Sequence, residues 1–406
     1  MNILVLSDNF MPLSNAERVA YLMTKEYDNL NNTVTVITVN SELKNGEINE
    51  LEYTGLKIYQ IGSSYNRFLI GYYSLYNPWV LSAVKIILNK NNYDFAHIHN
   101  IHAHISYGVI PLLKKKNIKM VMTLHDYMSV DYGKFTQGIR PQDLSDFPII
   151  NKRINPFKTF MSYKRSYNPV RNIIIKFYLN KVDKIVTVSK EQESILNTNG
   201  VENTITINNG ILKYDISLTD NKVSAFRNKY NIQRDEKIML WAGRLSDAKG
   251  ACQVIKLVKL LIKNNYKVKL LIAGKDIFKG HELEEHIIAT GWLDSDGMKL
   301  AYKISDLTLV PSIYPDPFPT VVLESMQAGV PVVATCFGGA KDAVVNEKTG
   351  YVINPFNINT FYKKVSNILN NDNLKKEMSL NSKEVFEKKF RIDNCINMYL
   401  ELVHSL

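Results

Sequence analysis

Residues 314–334, Tyr-Pro-Asp-Pro-Phe-Pro-Thr-Val-Val-Leu-Glu-Ser-Met-Gln-Ala-Gly-Val-Pro-Val-Val-Ala, predict a loop, a helix and a buried strand in succession. Three prolines interrupt the backbone at the start, helix-forming residues follow from about Val321, and Gly329 is typical of a helix C-cap. The closing Val-Pro-Val-Val-Ala is the apolar run of a short buried strand. This succession is typical of an α/β domain.

Two carboxylates in this stretch are eight positions apart, Asp316 before the helix and Glu324 inside it. The first backbone N–H groups of a helix have no partner within the helix and can meet an anionic ligand. Phosphate oxygens suit these amides, and hydroxyl groups suit the two acids. The stretch therefore favours a ligand that carries both groups, such as a sugar nucleotide.

The chain of 406 residues is longer than one hydrophobic core normally serves, so we expect two domains. Its three cysteines, Cys252, Cys336 and Cys395, are scattered and odd in number, as is typical of a reducing compartment. Residues 1–8 lead directly into a strand-like segment, and glycine and proline interrupt the longest uncharged run, residues 68–84. We therefore predict a cytoplasmic protein, either soluble or peripheral on the inner face of the cell membrane.

Positive charge is concentrated in residues 111–181, within a chain of formal net charge +11. This segment holds fourteen Lys and Arg residues against four Asp residues, and nine aromatic residues lie between Tyr132 and Tyr178. Basic residues interleaved with aromatics are typical of a segment that binds an anionic membrane surface. An ordinary solvated surface fits the pattern equally well. No nucleic-acid motif accompanies the charge, so we expect no nucleic acid partner.

Two strand-like segments end in histidines. They are residues 95–99, which open a cluster of four histidines, His97, His99, His102 and His104, and residues 120–127, which end in His125, Asp126 and Tyr127. Open α/β sheets bind ligands at the carboxyl ends of their strands, so we expect His125 to have a functional role and His99 or His102 to contact a ligand. In the cluster that begins at His97, no cysteine or acid completes a set of metal ligands, and we expect no metal.

A glycine-bounded loop, residues 243–250, follows another apolar strand and precedes a helix. Arg244 and Lys249 are five positions apart on this loop, so both can reach a diphosphate bound at the helix N-terminus. Their positive charge would also stabilise negative charge that builds up on a leaving group.

These segments together resemble the retaining glycosyltransferases of family 4, which carry an E-x7-E signature. The signature region agrees at Pro317, Phe318, Leu323, Glu324, Met326, Ala328, Gly329, Pro331, Val332, Val333 and Ala334. The Gly-Arg-Leu-x-x-x-Lys-Gly loop is similar at residues 243–250. The chain departs from the family pattern at Asp316, where Glu is usual, at Pro319, where Gly is usual, and at Ser14-Asn15, where a Gly-Gly pair is usual.

The resemblance implies a GT-B fold, in which two doubly wound Rossmann-like α/β domains flank an interdomain cleft. It places the acceptor-binding domain at residues 1–210 and the donor-binding domain at residues 211–385. A last helix, at about residues 386–406, is expected to pack back on the first domain.

The resemblance also implies a role for each matched residue. Arg244 and Lys249 would hold the diphosphate of the donor, Glu324 its ribose hydroxyls and Asp316 its sugar, while His125 would lie near the reacting carbon. The remaining expected donor contacts are Gly243, Gly291, Trp292, Leu293, Phe318, Pro319, Thr320 and Val321. The expected acceptor or cleft residues are Ser14, Asn15, His99, His102, Asp126 and Tyr127.

The implied reaction is metal-independent hexosyl transfer with retention, from a UDP or GDP type sugar to an acceptor hydroxyl, without a further cofactor. In the scheme usually drawn for this family, the leaving phosphate helps to deprotonate the acceptor. The expected acceptor is a glycan or lipid-linked saccharide of cell-surface polysaccharide synthesis. A nucleotide-sugar epimerase of the same fold and a non-catalytic sugar-nucleotide binding protein are the alternatives.

Overall fold

The computed structural model describes residues 1–10, 15–164, 167–214, 218–275 and 283–406, with only the backbone of Asn15 and Ala16. It contains two compact units. Unit 1 consists of residues 1–138, 151–210 and 392–406, and unit 2 of residues 139–150 and 211–391. Each unit is built on a sheet of mainly parallel strands with helices between them, so the predicted α/β class with two parallel-sheet domains is confirmed.

Unit 1 contains an eight-stranded sheet. Its strands are β1 (Asn2–Leu6), β2 (Thr33–Asn40), β3 (Ile48–Tyr53), β4 (Leu56–Gly62), β5 (Phe95–Ile98), β6 (Lys119–Leu124), β7 (Lys184–Thr187) and β8 (Thr204–Thr206). Their spatial order is β3-β4-β2-β1-β5-β6-β7-β8, and all neighbours are parallel except the β3–β4 pair. The central strands are continuous apolar runs because helices cover both faces of a parallel sheet.

The helices of unit 1 include one formed by the end of the chain. They are α1 (Asn15–Asn29), α2 (Ile70–Tyr73), α3 (Pro78–Lys90), α4 (Val109–Lys115), α5 (Pro156–Tyr163), α6 (Arg171–Leu179), α7 (Lys190–Thr198) and α15 (Ile392–His404). Helix α15 buries Ile396 and Tyr399 in the same core as Ile3 and Val5 of β1.

Unit 2 contains a six-stranded parallel sheet. Its strands are β9 (Lys237–Ala242), β10 (Val268–Ala273), β11 (Ile287–Gly291), β12 (Leu307–Val310), β13 (Val332–Thr335) and β14 (Gly350–Ile353), in the order β11-β10-β9-β12-β13-β14. Its helices are α8 (Asp220–Lys229), α9 (Ala251–Lys263), α10 (Ser295–Ile304), α11 (Thr320–Ala328), α12 (Ala340–Ala343), α13 (Ile358–Asn370) and α14 (Asp372–Lys389).

The segment that predicts a loop, a helix and a strand has that structure. Helix α11 ends at Gly329, whose φ of 73° is left-handed and whose N–H donates to the carbonyls of Met326 and Ser325. The strand β13 begins three residues later, at Val332. The C-cap prediction is confirmed because glycine adopts this conformation without steric cost.

The end of the chain differs from the sequence prediction. A single last helix from about residue 386 is wrong, because α14 continues to Lys389 and α15 begins only at Ile392. Between them, the Phe390 carbonyl accepts a hydrogen bond from Ile211 N–H, and Arg391 forms a β-bridge with Ile211. This pairing takes the backbone out of the helix. No helix in the described part of the chain is long and apolar enough to cross a membrane.

Candidate active site

The order of strands in unit 1 reverses direction between β1 and β5, because β2 lies on one side of this pair and β6 on the other. Open α/β sheets bind ligands at such a point, outside the carboxyl ends of the strands. A pocket of about 230 Å³ lies there. It is lined by Ser7, Asp8, Asn9, Glu17, His99, Asn100, His102, Ala103 and His125.

Asp8 forms one wall of this pocket by holding the loop after β5. Its carboxylate accepts hydrogen bonds from the backbone N–H groups of Ala103 at 2.7 Å, His104 at 3.0 Å and Ile105 at 2.6 Å. Three charge-assisted bonds occupy both carboxylate oxygens, so Asp8 shapes the pocket. Glu17, in the first turn of α1, is the second carboxylate on its lining.

His99 and His125 form a directly bonded pair in the pocket, with His99 Nδ1 2.9 Å from His125 Nε2. Burial lowers the pKa of His125 to about 4 and holds the pKa of His99 well below its usual range. Both imidazoles are therefore neutral near pH 7, and one donates its proton to the other. The predicted histidines at the ends of β5 and β6 thus meet, although they are 26 positions apart in the sequence.

A third buried histidine, His97, lies behind this pair. Its ring centroid is 4.1 Å from that of His99, and its Nδ1 and Nε2 lie 3.1 Å from the Tyr27 hydroxyl and 2.8 Å from the Thr123 hydroxyl. Thr123 is in turn 2.8 Å from the hydroxyl of Tyr399 in α15. Because both of its nitrogens are occupied, His97 supports the pair and does not line the pocket.

The loop after β6 is fixed by Gln192 of α7. The Gln192 amide donates to the carbonyls of Leu124 and Asp126, both at 2.9 Å. The carboxylate of Asp126 accepts from Met128 N–H at 2.8 Å and lies 3.5 Å from His102 Nε2. Tyr127, by contrast, is buried against Phe135, so its side chain does not line the pocket.

Unit 2 has its own reversal of strand order, between β9 and β12. The loops that follow these two strands contact each other there: Ile313 N–H donates to the Ala248 carbonyl at 3.0 Å. The predicted loop at residues 243–250 is therefore a neighbour of the loop after β12, which leads into the signature stretch at residues 314–334, at the carboxyl edge of the sheet. This edge is the position that the ligand-binding rule for open sheets favours.

Lys249 and Asp316 form an ion pair across these two loops. Asp316 is 7% exposed, and the Lys249 ammonium also lies 5.6 Å from the ring centroid of Tyr314. Burial acts to lower the pKa of Lys249, but Asp316 and Tyr314 outweigh it and raise that pKa, so the lysine is charged at neutral pH. An ammonium has three donors, which allows Lys249 to bind Asp316 and a phosphate oxygen together.

Two glycines allow neighbouring backbone segments to lie close to the loops that carry Lys249 and Asp316. Gly250 has a φ of +93°, and a Cβ there would lie 2.1 Å from the Pro311 carbonyl oxygen. Gly338 has a φ of +75°, and a Cβ there would lie 2.3 Å from the Asp316 carbonyl oxygen. The backbone around Lys249 and Asp316 therefore excludes side chains at both positions.

Glu324 lies half-buried in α11, where its Oε2 accepts a hydrogen bond of 3.0 Å from the Tyr302 hydroxyl. Tyr302 belongs to α10 and is 1% exposed, so it orients the carboxylate. Pro319 precedes α11 without a side-chain cap, and Thr320 and Val321 form its first turn. Phe318 and Thr320 are buried beside this helix N-terminus.

The other predicted donor residues lie at the carboxyl ends of unit 2 strands. Gly243 directly follows β9 with a φ of +115°, and a Cβ there would meet no atom within 4 Å. Arg244 is exposed. Gly291 ends β11 with a φ of +71°, Trp292 is 71% exposed and Leu293 is half-buried.

Of the predicted cleft residues at the start of α1, Ser14 lies outside the described residues, and only the backbone of Asn15 is described.

Sequence reasoning missed Asp8, Glu17, Gln192, Tyr302 and Tyr314. Asp8 could have been found from the sequence, because it is the first acid after β1, whereas Gln192 and Tyr302 act through contacts distant in the sequence.

Within the described ranges, no group of three or more His, Cys, Asp and Glu side chains is arranged to hold a metal ion.

Known proteins resemble this chain in structure or in sequence. Anabaena HepE in complex with UDP-glucose superimposes with a TM-score of 0.70 at 17% identity, covering 100% of both chains. An uncharacterized glycosyltransferase of Methanocaldococcus jannaschii is 31% identical over 235 residues, which are 53% of this chain and 59% of that protein. The capsular polysaccharide biosynthesis glycosyltransferase CapM of Staphylococcus aureus is 26% identical over 224 residues, which are 51% of this chain and 57% of that protein.

Two protein families match successive parts of the chain. Residues 16–211 match the family described as Glycosyltransferase Family 4, and residues 222–385 match the family described as Glycosyl transferases group 1. The first match falls mainly in unit 1 and the second lies in unit 2. The predicted family and its GT-B fold are confirmed, and the chain belongs to the glycosyltransferases of the group 1 and family 4 type.

Proposed function

We propose that this protein transfers a hexose-type sugar from a nucleoside diphosphate sugar to an acceptor hydroxyl, with retention of the anomeric configuration. One observation carries the proposal. At the reversal of strand order in unit 2, a charged lysine, Lys249, meets a buried carboxylate, Asp316, and the next helix carries a second, oriented carboxylate, Glu324. A site with one cation and two fixed acids suits a ligand with phosphates and hydroxyls.

Each donor-binding residue has a role in this proposal. Arg244 and Lys249 bind the diphosphate, Glu324 accepts hydrogen bonds from the ribose hydroxyls, and Asp316 binds the sugar. Pro319, Thr320 and Val321 contribute the N-terminus of α11 as a further anion site, while Gly291, Trp292 and Leu293 contact the base. Anabaena HepE, which has the same fold, forms a complex with UDP-glucose, and this supports a nucleotide sugar of the UDP or GDP type.

The reaction needs no further cofactor in this scheme. The bond between the anomeric carbon and the phosphate oxygen breaks, and a bond to the acceptor oxygen forms on the same face of the sugar. The proton of the acceptor hydroxyl passes to the leaving phosphate. Arg244 and Lys249 stabilise the negative charge on that phosphate, which is the role that a metal ion has in other transferases.

We assign the acceptor to unit 1. Its pocket presents neutral imidazoles and a carboxylate, Glu17, and such groups suit the hydroxyls of a saccharide. His99 and His102 are the proposed acceptor contacts, Asp126 orients His102, and His125 is proposed to lie near the reacting carbon. The name of CapM supports an acceptor from polysaccharide synthesis, for which we propose a lipid-linked saccharide used at the cytoplasmic membrane face.

The test is the binding and slow hydrolysis of a panel of UDP and GDP sugars in the presence of a metal chelator. We expect one donor to bind and to be hydrolysed by the wild type. Lys249→Ala and Glu324→Ala should each lower the donor affinity at least about tenfold, because each removes a charge-assisted contact. The matched controls are Lys256→Ala and Glu377→Ala, which change exposed residues on α9 and α14 and should leave binding unchanged.

Three outcomes would contradict the transferase. If no donor binds, or if binding survives both substitutions, the departures at Asp316 and Ser14-Asn15 mean that the site has another use. If a donor binds and its sugar is converted to an epimer without an acceptor, the protein is an epimerase. Binding without any turnover would instead indicate a non-catalytic sugar-nucleotide binding protein.

A further inference from the structure

Unit 1 exposes an unusual number of large apolar side chains around three helices. We define the aromatic face as Phe68 and Tyr72 at α2, Phe157 and Phe160 on α5, and Ile173 and Phe177 on α6. Their exposed fractions run from 41% for Phe160 to 72% for Ile173. In soluble monomers, groups of exposed large apolar side chains often mark a surface that binds a partner or a membrane.

Helices α5 and α6 both contact Tyr132, and Arg67, which precedes α2, lies near enough to act on it. The ring of Tyr163 in α5 lies 5.0 Å from the Tyr132 ring, and the guanidinium of Arg171 in α6 lies 5.4 Å from it. Burial raises the pKa of Tyr132, and Arg171 and the neighbouring Arg67, just before α2, act to lower it. The residues of the aromatic face are therefore carried by adjacent elements.

Helix periodicity turns these side chains outward. In α6, Arg171, Ile175 and Leu179 are buried, while Ile173, Lys176 and Phe177 are exposed. In α5, Thr159 is the only buried residue. A short helix with one buried residue contributes little to the core, so its apolar residues are not explained by packing within unit 1.

The segment that carries α5 and α6 has charged side chains of one sign. Residues 151–182 include no Asp or Glu and eight basic residues, Lys152, Arg153, Lys158, Lys164, Arg165, Arg171, Lys176 and Lys181. Arg153, Lys158, Lys164 and Lys176 are exposed. Arg171, in contrast, is fully buried, so the predicted membrane segment presents one cation fewer than its sequence contains.

We propose that the aromatic face binds the surface of an anionic phospholipid bilayer. Phe157 and Ile173 and their neighbours would insert at the boundary between headgroups and acyl chains, and Lys158 and Lys176 would bind lipid phosphates. The lysines favour lipid over a protein partner, because the centres of protein interfaces are depleted in lysine. The proposal does not depend on the donor chemistry of unit 2, and it adds to the proposed function a place where the reaction occurs.

The test is sedimentation of the full chain with vesicles, without donor or acceptor. We expect binding to vesicles of phosphatidylcholine mixed with phosphatidylglycerol, and at least about tenfold weaker binding to phosphatidylcholine alone or in high salt. The double variant Phe157→Ser/Phe160→Ser should bind at least about tenfold more weakly, and so should Lys158→Gln/Lys176→Gln. The matched control is Leu380→Ser/Lys376→Gln, which changes an exposed Leu and Lys on α14 and should bind like the wild type.

Several outcomes would overturn the proposal. They are no binding of the wild type to either vesicle, equal binding to both vesicles, or unchanged binding of the Phe157→Ser/Phe160→Ser variant. A dimer in solution that this variant abolishes would assign the face to a second copy of the chain. Donor hydrolysis in solution should be unchanged in both double variants, so failure of the membrane proposal is distinguishable from failure of the transferase proposal.

Discussion

At the scale of single residues, the structure shows that the predicted site residues depend on partners which the sequence does not reveal. The signature predicts Glu324, but the hydroxyl that orients it belongs to Tyr302, 22 positions earlier. The sequence predicts Lys249 and Asp316 separately, and the structure joins them. A motif thus identifies the chemical groups, whereas the contacts between them depend on the fold.

Tyr302 offers a test of this dependence. We expect Tyr302→Phe to weaken donor binding about five- to tenfold, because one hydrogen bond to a carboxylate contributes roughly 1–1.5 kcal/mol. The hydroxyl acts through Glu324, so KM for the donor should rise while kcat changes little. Calorimetric donor binding and steady-state kinetics measure the two effects.

The control for this variant is Tyr266→Phe. The Tyr266 hydroxyl accepts a hydrogen bond from Asn370, away from the two loops, and its loss should not alter donor binding. The positioning role would be wrong if Tyr302→Phe bound donor like the wild type, or if the double variant Tyr302→Phe/Glu324→Gln lost the full sum of the two single effects.

At the scale of elements, local sequence signals predict helix ends and strands more completely than they predict the contacts within the site. Helix ends are readable because their signals are local: Gly329 ends α11, and the Ser189 hydroxyl accepts a hydrogen bond from Gln192 N–H at the start of α7. Strands such as β1 and β6 are readable as apolar runs. The break at residues 390–391 is not, because it depends on pairing with Ile211, about 180 positions away.

A substitution in the loop between β9 and α9 tests how closely this loop must approach the loop after β12. We expect Gly250→Ala to lower the donor affinity at least about tenfold and the free energy of unfolding by about 1–3 kcal/mol. A methyl group there meets the Pro311 carbonyl oxygen and must displace the loop that carries Lys249. Donor calorimetry and urea-induced unfolding measure the two changes.

Gly55→Ala separates backbone strain from this steric contact. Gly55 also has a positive φ, +83°, but no atom lies within 4 Å of a Cβ built there. It should lower stability by about 1 kcal/mol and leave donor binding intact. Normal donor binding by Gly250→Ala would show that the close approach of the two loops is not required.

At the scale of the whole molecule, the buried histidines of unit 1 predict a sensitivity to acid. Burial lowers the pKa of His97 to about 3 and that of His125 to about 4, and it also lowers the pKa of His99. In the unfolded chain these histidines bind protons with a pKa near 6.5, whereas in the folded chain they stay neutral until the pH is much lower. The resulting stability is present above pH 6.5 and is lost as the pH falls from about 6.5 to about 4, by about 1.4 kcal/mol per histidine and pH unit.

Urea-induced unfolding between pH 7 and pH 5 measures this loss. The variant His125→Gln removes one histidine that stays neutral in the folded chain, so the loss of stability between pH 7 and pH 5 should be smaller by about 2 kcal/mol. His404→Gln, which changes an exposed histidine at the end of α15, is the control and should keep the steeper dependence. Equal slopes for His125→Gln and the wild type would contradict the neutral state of His125.

The return of α15 to unit 1 has a consequence for synthesis on the ribosome. The sheet of unit 1 is translated within the first 206 residues, but its core also needs Ile396 and Tyr399, and the Tyr399 hydroxyl meets Thr123 across 276 positions of sequence. Domains usually fold in the order in which they emerge. Here the core of unit 1 is complete only after residues 392–404 have left the exit tunnel, and residues 211–391 emerge before them. If translation stalls before α15 is made, unit 1, whose synthesis starts first, therefore lacks part of its core.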